Sequence, residues 1–221
     1  MLTRVKVCGV CRPADASGAV RAGASYVGVI LAARSVRRQA VVAAERILDA
    51  ANGAERVGVF VDAEESFIVK TAEHLRLDVI QLHGTESPTR VERLRRRGSW
   101  TIWKAIRPRS AAEFTEGLGA WTGVIDGVLL DGWSADGEGG TGTRFDWAGV
   151  APFRDRVPAG AALIVAGGLD AGNVGDVIRL LRPDVVDVSS GVESSPCEKA
   201  MDRMVAFVNA AHGASDARTR A

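Results

Sequence analysis

Two patterns alternate along this chain, and their alternation constrains the fold more than any other feature. A short run rich in β-branched residues comes first, then a stretch with apolar residues at helical spacing. The runs are Val5–Cys8, Tyr26–Leu31, Arg56–Val61, Asp78–Leu82, Thr101–Ala105, Gly127–Asp131, Ala162–Ala166 and Val185–Ser189, starting 21 to 35 residues apart. They lack clean polar alternation, as expected of strands covered on both faces of a parallel sheet.

Eight such units without a linker in 221 residues predict an α/β fold, a single-domain (β/α)8 TIM barrel near the small end of that architecture. The barrel is expected to span residues 1–213, with the small, polar residues 214–221 as a flexible tail. A doubly wound open sheet carries the same alternation, and periodicity alone does not separate the two. Helix ends are legible in places. Pro13 suits a first helical position, Ala16, Ala19 and Val20 share a face, and Gly23 is placed to stop the helix. Ser195-Pro196-Cys197-Glu198 reads as a capping box ahead of Met201, Met204, Val205, Val208 and Ala211, with Gly213 ending the run. The longest interval, Asp131 to Ala162, holds a Gly-rich loop that a barrel would place on its catalytic C-terminal face.

Composition narrows the partners. The 28 basic residues nearly cancel the 27 acidic ones, so there is no charge footprint for nucleic acid or an anionic membrane. No apolar run approaches the roughly 18–20 residues of a membrane helix. Arg4 and Lys6 interrupt the apolar N-terminal run, which does not read as a signal peptide. Three cysteines do not make a disulfide framework. The expectation is a soluble cytoplasmic protein, taken to be a monomer.

Two motifs invite other readings. Cys8-Gly9-Val10-Cys11 is a C-x-x-C, but only seven residues precede it, too few for a thioredoxin-like core, and a structural zinc site would need four ligands. Gly137 to Gly142 matches G-x-G-x-x-G, yet it starts too far after the strand and lacks an acidic residue about 20 positions on. No metal site and no nucleotide cofactor are expected.

A third cluster is more informative. Ala166-Gly167-Gly168-Leu169-Asp170 follows the seventh run and Ser189-Ser190-Gly191-Val192-Glu193 the eighth. Gly and Ser leave backbone N–H groups accessible and add hydroxyl donors, and in barrels these two loops are the usual phosphate site. A phosphorylated small molecule is the expected partner. Cys8 ends strand 1, Arg37 lies after strand 2, Gln81 and His83 close strand 4, and Asp131 ends strand 6. Cys8 and Asp131 come from different strands and can face one substrate from two sides, which suits a cofactor-free acid–base isomerisation.

The chain resembles the phosphoribosylanthranilate isomerase family of (β/α)8 enzymes of tryptophan biosynthesis. The resemblance is carried by Lys6-Val7-Cys8-Gly9-Val10 with Arg12-Pro13 and Asp15-Ala16, Gln81-Leu82-His83-Gly84, Leu129-Leu130-Asp131, Gly139-Gly140-Thr141-Gly142 with Phe145-Asp146-Trp147, Ala166-Gly167-Gly168-Leu169, and Asp187-Val188-Ser189-Ser190-Gly191-Val192-Glu193, in the family's order. It implies an Amadori rearrangement of N-(5-phosphoribosyl)anthranilate, with Cys8 as general base and Asp131 as general acid. It further implies that Arg37 faces the anthranilate carboxylate, that Gln81, His83 and Asp187 contact substrate, and that Gly167, Gly168, Ser189, Ser190 and Gly191 hold the phosphate. Such chemistry calls for the two pKa values to move toward neutrality, from about 8.5 for Cys and about 3.9 for Asp.

The chain departs from the family pattern after strand 2, where Arg34, Arg37 and Arg38 sit close together, and at Cys11, in place of a Thr-like residue. A disulfide between Cys8 and Cys11 under mild oxidation is one expectation. The alternative is that the helix beginning near Pro13 turns Cys11 away from the barrel mouth. A paralogue acting on a related aminosugar phosphate and a catalytically inactive binding barrel are the rival functions.

Overall fold

The computed structural model describes residues 2–107, 118–132 and 147–219, and in it each of the eight predicted runs is a strand, with ends within a residue of expectation. They are β1 (Arg4–Val7), β2 (Tyr26–Ile30), β3 (Glu55–Phe60), β4 (Val79–Leu82), β5 (Thr101–Ile106), β6 (Gly127–Asp131), β7 (Ala162–Ala166) and β8 (Val185–Val188). All neighbours are parallel, and β1 pairs with β8 as well as with β2, so the sheet closes into a barrel. That closure, with Lys6 beside Asp187 and Val7 beside Val188, removes the open-sheet alternative.

Successive side chains of a strand point to opposite faces, so each strand feeds two cores. Val5, Val7, Val27, Val29, Ile80, Leu82, Val128, Leu130, Val186 and Val188 pack outward among the helices. Tyr26, Val57, Val79, Trp103, Leu129, Ile164 and Val185 fill a separate inner cluster, with Tyr26 and Trp103 edge to face at 5.0 Å. Two residues beyond an inward position lies the next one. The step therefore carries the inward row from Lys6 to Cys8, from Gln81 to His83, from Leu129 to Asp131 and from Asp187 to Ser189, which is how the strand ends reach one cavity.

Among the described residues the α-helices are α1 (Pro13–Ala22), α2 (Val41–Asp49), α3 (Glu65–His74), α4 (Pro88–Arg95), α5 (Trp147–Val150), α6 (Val174–Leu181) and α7 (Met201–Thr219). Pro13 does start α1, and Gly23, at φ 101°, ends it in the left-handed region. The match of residues 137–142 to G-x-G-x-x-G and the Phe145-Asp146 segment lie outside the described residues.

Three expectations are corrected where the C-terminal segment meets the rest of the chain. Ser195-Pro196-Cys197-Glu198 is not a helix cap. Glu193–Ser195 (β9) and Glu198–Lys199 (β10) form a two-stranded antiparallel hairpin, with Ser195 Oγ donating to Glu198 Oε2 at 3.0 Å. Its turn residue Cys197 has φ 68° and is disulfide-bonded to Cys11, Cα to Cα 5.3 Å, across 186 positions. Cys8 is therefore a free thiol, and the pairing of Cys8 with Cys11 does not occur. Nor does Gly213 end α7, which runs to Thr219. Ala214 and Ser215 are buried, and Ser215 Oγ accepts from the backbone N–H of Thr3 at 3.2 Å. A glycine inside a helix costs only about 1 kcal/mol, which that burial offsets.

Candidate active site

A cavity of about 710 Å³ opens at the C-terminal ends of the strands. Every site residue expected from the sequence lines it: Cys8, Arg37, Gln81, His83, Asp131, Gly167, Gly168, Asp187, Ser189, Ser190 and Gly191.

On one wall, four side chains form a connected row. Gln81 Nε2 and His83 Nδ1 lie 2.9 Å apart, and His83 Nε2 is 3.1 Å from Asp131 Oδ2. An amide NH2 can only donate, so with this amide orientation Nδ1 accepts and the ring proton sits on Nε2, aimed at Asp131. Arg107 Nε donates to the same oxygen at 3.0 Å. Oδ2 is thus engaged by both groups, His83 and Arg107. Burial pushes the Asp131 carboxyl up, but His83 and Arg107 outweigh it and hold it below the usual carboxylate range. The expected rise toward neutrality is absent here, because two N–H donors stabilise the anion.

The opposite wall carries the thiol. Cys8 is buried immediately after β1, its backbone N–H bonded to Val188 O at 2.8 Å. Burial pushes the thiol up, against the pull of Lys6. Here too the shift runs against expectation, since a thiolate is costly where the sulfur is buried. Gly9 follows with φ 66°. A Cβ there would stand 2.6 Å from Arg37 Cδ and 2.9 Å from Ser189 Oγ, so only glycine lets the chain turn while Arg37 passes over it.

Arg37 does not present a free guanidinium. Nε and Nη2 donate to the two oxygens of Glu193 at 2.8 and 2.6 Å, and Lys199 Nζ donates to Glu193 Oε1 at 2.9 Å. The Nη1–Nη2 edge remains, and a guanidinium has enough N–H donors for a second bidentate contact. Arg34 also lines the cavity, whereas Arg38 does not.

The loops after β7 and β8 are pressed together on the third side. A Cβ on Gly191 would lie 1.9 Å from Leu169 O, so no larger residue fits there. Buried Asp187 accepts from Lys6 Nζ at Oδ2, 2.8 Å away, while its Oδ1 and the buried Gln81 Oε1 have no partner among the described residues. Two orphaned acceptors in a cavity wall fit a ligand that brings hydroxyl or N–H donors.

Lys6, Arg107, Glu193 and Lys199 were missed as site residues from sequence. Arg107 directly follows β5 and was recoverable by the rule that found Asp131. Glu193 and Lys199 act through their partners, which no local pattern shows.

Residues 5–210 match the family described as N-(5'phosphoribosyl)anthranilate (PRA) isomerase. The chain belongs to the PRA isomerase family. It is 38% identical over 218 residues to an N-(5'-phosphoribosyl)anthranilate isomerase of a Chelativorans species, covering 97% of this chain and 98% of that one. The similarly named Geobacter protein is 39% identical over 209 residues, covering 94% and 97%. The crystal structure of PRA isomerase from Thermotoga maritima superposes with a TM-score of 0.86 at 33% identity, over 96% of this chain and 100% of that one. Another PRA isomerase structure, in complex with reduced 1-(o-carboxyphenylamino)-1-deoxyribulose 5-phosphate, gives 0.83 at 32% identity, over 96% and 100%. The ordered motifs between residues 6 and 193 thus belong to a PRA isomerase fold, and their strand-end residues share one cavity.

Proposed function

We propose that the protein isomerises N-(5-phosphoribosyl)anthranilate to 1-(2-carboxyphenylamino)-1-deoxyribulose 5-phosphate, in tryptophan biosynthesis and in the cytoplasm. Family membership supports the activity. The observation that carries it onto these residues is the shared cavity, with a free thiol on one wall and a carboxyl group on the other.

In this reading Asp131 protonates the furanose ring oxygen, opening the ring to a protonated imine. The proton travels on Oδ1, because Oδ2 is occupied by His83 and Arg107. The substrate's phosphate and carboxylate bring negative charge into the cavity, which favours a protonated Asp131. Cys8, as thiolate, removes the C2 proton to give the enolamine, which tautomerises to the ketoamine. Arg37 pairs with the anthranilate carboxylate through its free edge. Asp187 Oδ1 and Gln81 Oε1 accept from ribose hydroxyls, with His83 beside them. Gly167, Gly168, Ser189, Ser190 and Gly191 surround the phosphate. No cofactor or metal enters these steps.

The catalytic unit is the barrel, residues 1–213. Residues 214–219 prolong the last helix, with Ala214 and Ser215 packed against the barrel. The working unit in this reading is a monomer. Rescue of a tryptophan auxotroph lacking this isomerase, together with turnover by the purified protein, tests the reading. Rescue by wild type and not by Cys8→Ser is expected. Rescue by Cys8→Ser would overturn the mechanism, and no turnover of this substrate by the folded wild type would point to another aminosugar phosphate.

A further inference from the structure

Lys6 is wholly buried, and lysine is almost never so unless it is paired. Its pair is Asp187, whose Oδ2 accepts from Nζ at 2.8 Å. The same side chain also meets Cys8. A Cβ built on Gly28 would lie 3.1 Å from Cys8 Sγ, 3.1 Å from Lys6 Cε and 3.4 Å from Lys6 Nζ. Thiol and ammonium therefore converge over the one position of β2 that offers no side chain. Lys6 is absent from the cavity lining, so it sits beneath the floor on which Cys8 stands.

The charges around Cys8 come from every element packed on it. Lys6 is on β1, Asp187 on β8, Arg37 in the loop after β2, and Glu193 and Lys199 on the hairpin. Asp187 pairs with Lys6, and Glu193 with both Arg37 and Lys199. Three cations thus face two carboxylates. One positive charge is left over, and a thiolate at Cys8 balances it. Burial pushes the thiol up, and Lys6 provides the largest opposing pull. Lys6 itself is held charged, because Asp187 and Cys8 outweigh the cost of its burial.

We propose that Lys6 is a positioning residue of the isomerisation: without touching substrate, its buried ammonium sets how readily Cys8 becomes a thiolate. The proposal rests on the assignment of Cys8 as the general base. It gives the Lys6–Asp187 pair a role beyond closing the seam between β1 and β8.

Cys8 is the only free thiol among the three cysteines, so iodoacetamide under non-reducing conditions reports on it alone. The rate of alkylation is measured against pH for wild type, for Lys6→Met, and for Lys6→Met/Asp187→Asn. The double variant leaves no stranded carboxylate and serves if the single one fails to fold. The midpoint is expected to rise by at least one pH unit in Lys6→Met, and by less in the double variant. Turnover of Lys6→Met should fall at least tenfold at neutral pH, with KM nearly unchanged and activity partly regained at higher pH. A midpoint that stays put in a folded variant overturns the role of Lys6 and leaves Cys8 as the base if Cys8→Ser is inactive. A midpoint that rises while turnover does not change overturns both assignments, because the thiolate would then not limit the reaction.

Discussion

The guanidinium of Arg37 lies edge-on against the carboxylate of Glu193, with Nε to Oε1 at 2.8 Å and Nη2 to Oε2 at 2.6 Å. This pair ties the loop after β2 to the hairpin after β8 and fixes which edge of Arg37 faces the cavity. Hydrogen bonds to charged groups contribute about 1.5–3 kcal/mol. Arg37→Ala should therefore raise KM by roughly 10- to 100-fold. Arg34→Ala and Arg38→Ala should change KM far less. Equal losses in all three variants would show that Arg37 has no special claim on the substrate carboxylate.

Glu193 also makes the site sensitive to acid. Burial pushes its carboxyl up, but Arg37 and Lys199 hold it below the usual range. A carboxylate lowered in the folded state contributes stability above its unfolded value, near 4.3, and loses it as pH falls through the folded value. The stability difference between wild type and Glu193→Gln should thus be full at pH 7 and shrink below about pH 4.3. Thermal melts across that range check it. A difference that stays constant into the acid range would place the pairing energy elsewhere.

Asp131 gives the catalytic counterpart. Asp131→Asn keeps its size but has no proton to deliver, and turnover should fall by roughly 10²- to 10⁴-fold with the fold intact. Arg107 now helps hold this group as the anion, after burial and His83 are counted. Arg107→Gln should therefore move Asp131 upward and, because this carboxyl lies below the raised Cys8 thiol in the free enzyme, shift the acid limb of kcat/KM to higher pH. A limb that shifts to lower pH would contradict the assignment of Asp131 as the acid.

The phosphate assignment is tested at Ser190, which is exposed at the cavity rim. Ser190→Asp places a negative charge where the phosphate would lie, and should raise KM strongly without unfolding the barrel. Inorganic phosphate should inhibit the wild type competitively and the variant much less. Equal inhibition of both would move the phosphate site away from these loops.

The bond between Cys11 and Cys197 closes a loop of nearly the whole chain. Disulfides closing long loops contribute about 2–5 kcal/mol. Cys11→Ser, or a reductant on wild type, should lower Tm while leaving turnover at 25 °C nearly unchanged, since Cys8 takes no part in the bridge. If reduction abolished turnover in the folded protein, the bridge would be holding the site itself.

Much of the fold was legible because it is local. Gly127 to Asp131 reads as a strand from five residues, and Pro13 and Gly23 mark both ends of α1 by their own backbone preferences. The same locality misled at Ser195 to Glu198. The spacing of a capping box is present, yet the bond from Cys197 to Cys11 belongs to a hairpin that no window of a dozen residues reveals.

The sequence by itself determined where the eight strands lie along the chain, the period-two rows that lead to Cys8, His83 and Asp131, and the small residues of the loops after β7 and β8. Each follows from a backbone period or a side-chain size that holds within a few residues. Only the tertiary structure decided that residue 6 lies beside residue 187, that Arg37 meets Glu193, and that Asp131 and Cys8 are shifted against the direction their chemistry requires. Ion pairing and loss of water depend on what closure brings within a few ångströms, and closure joins groups far apart in the chain.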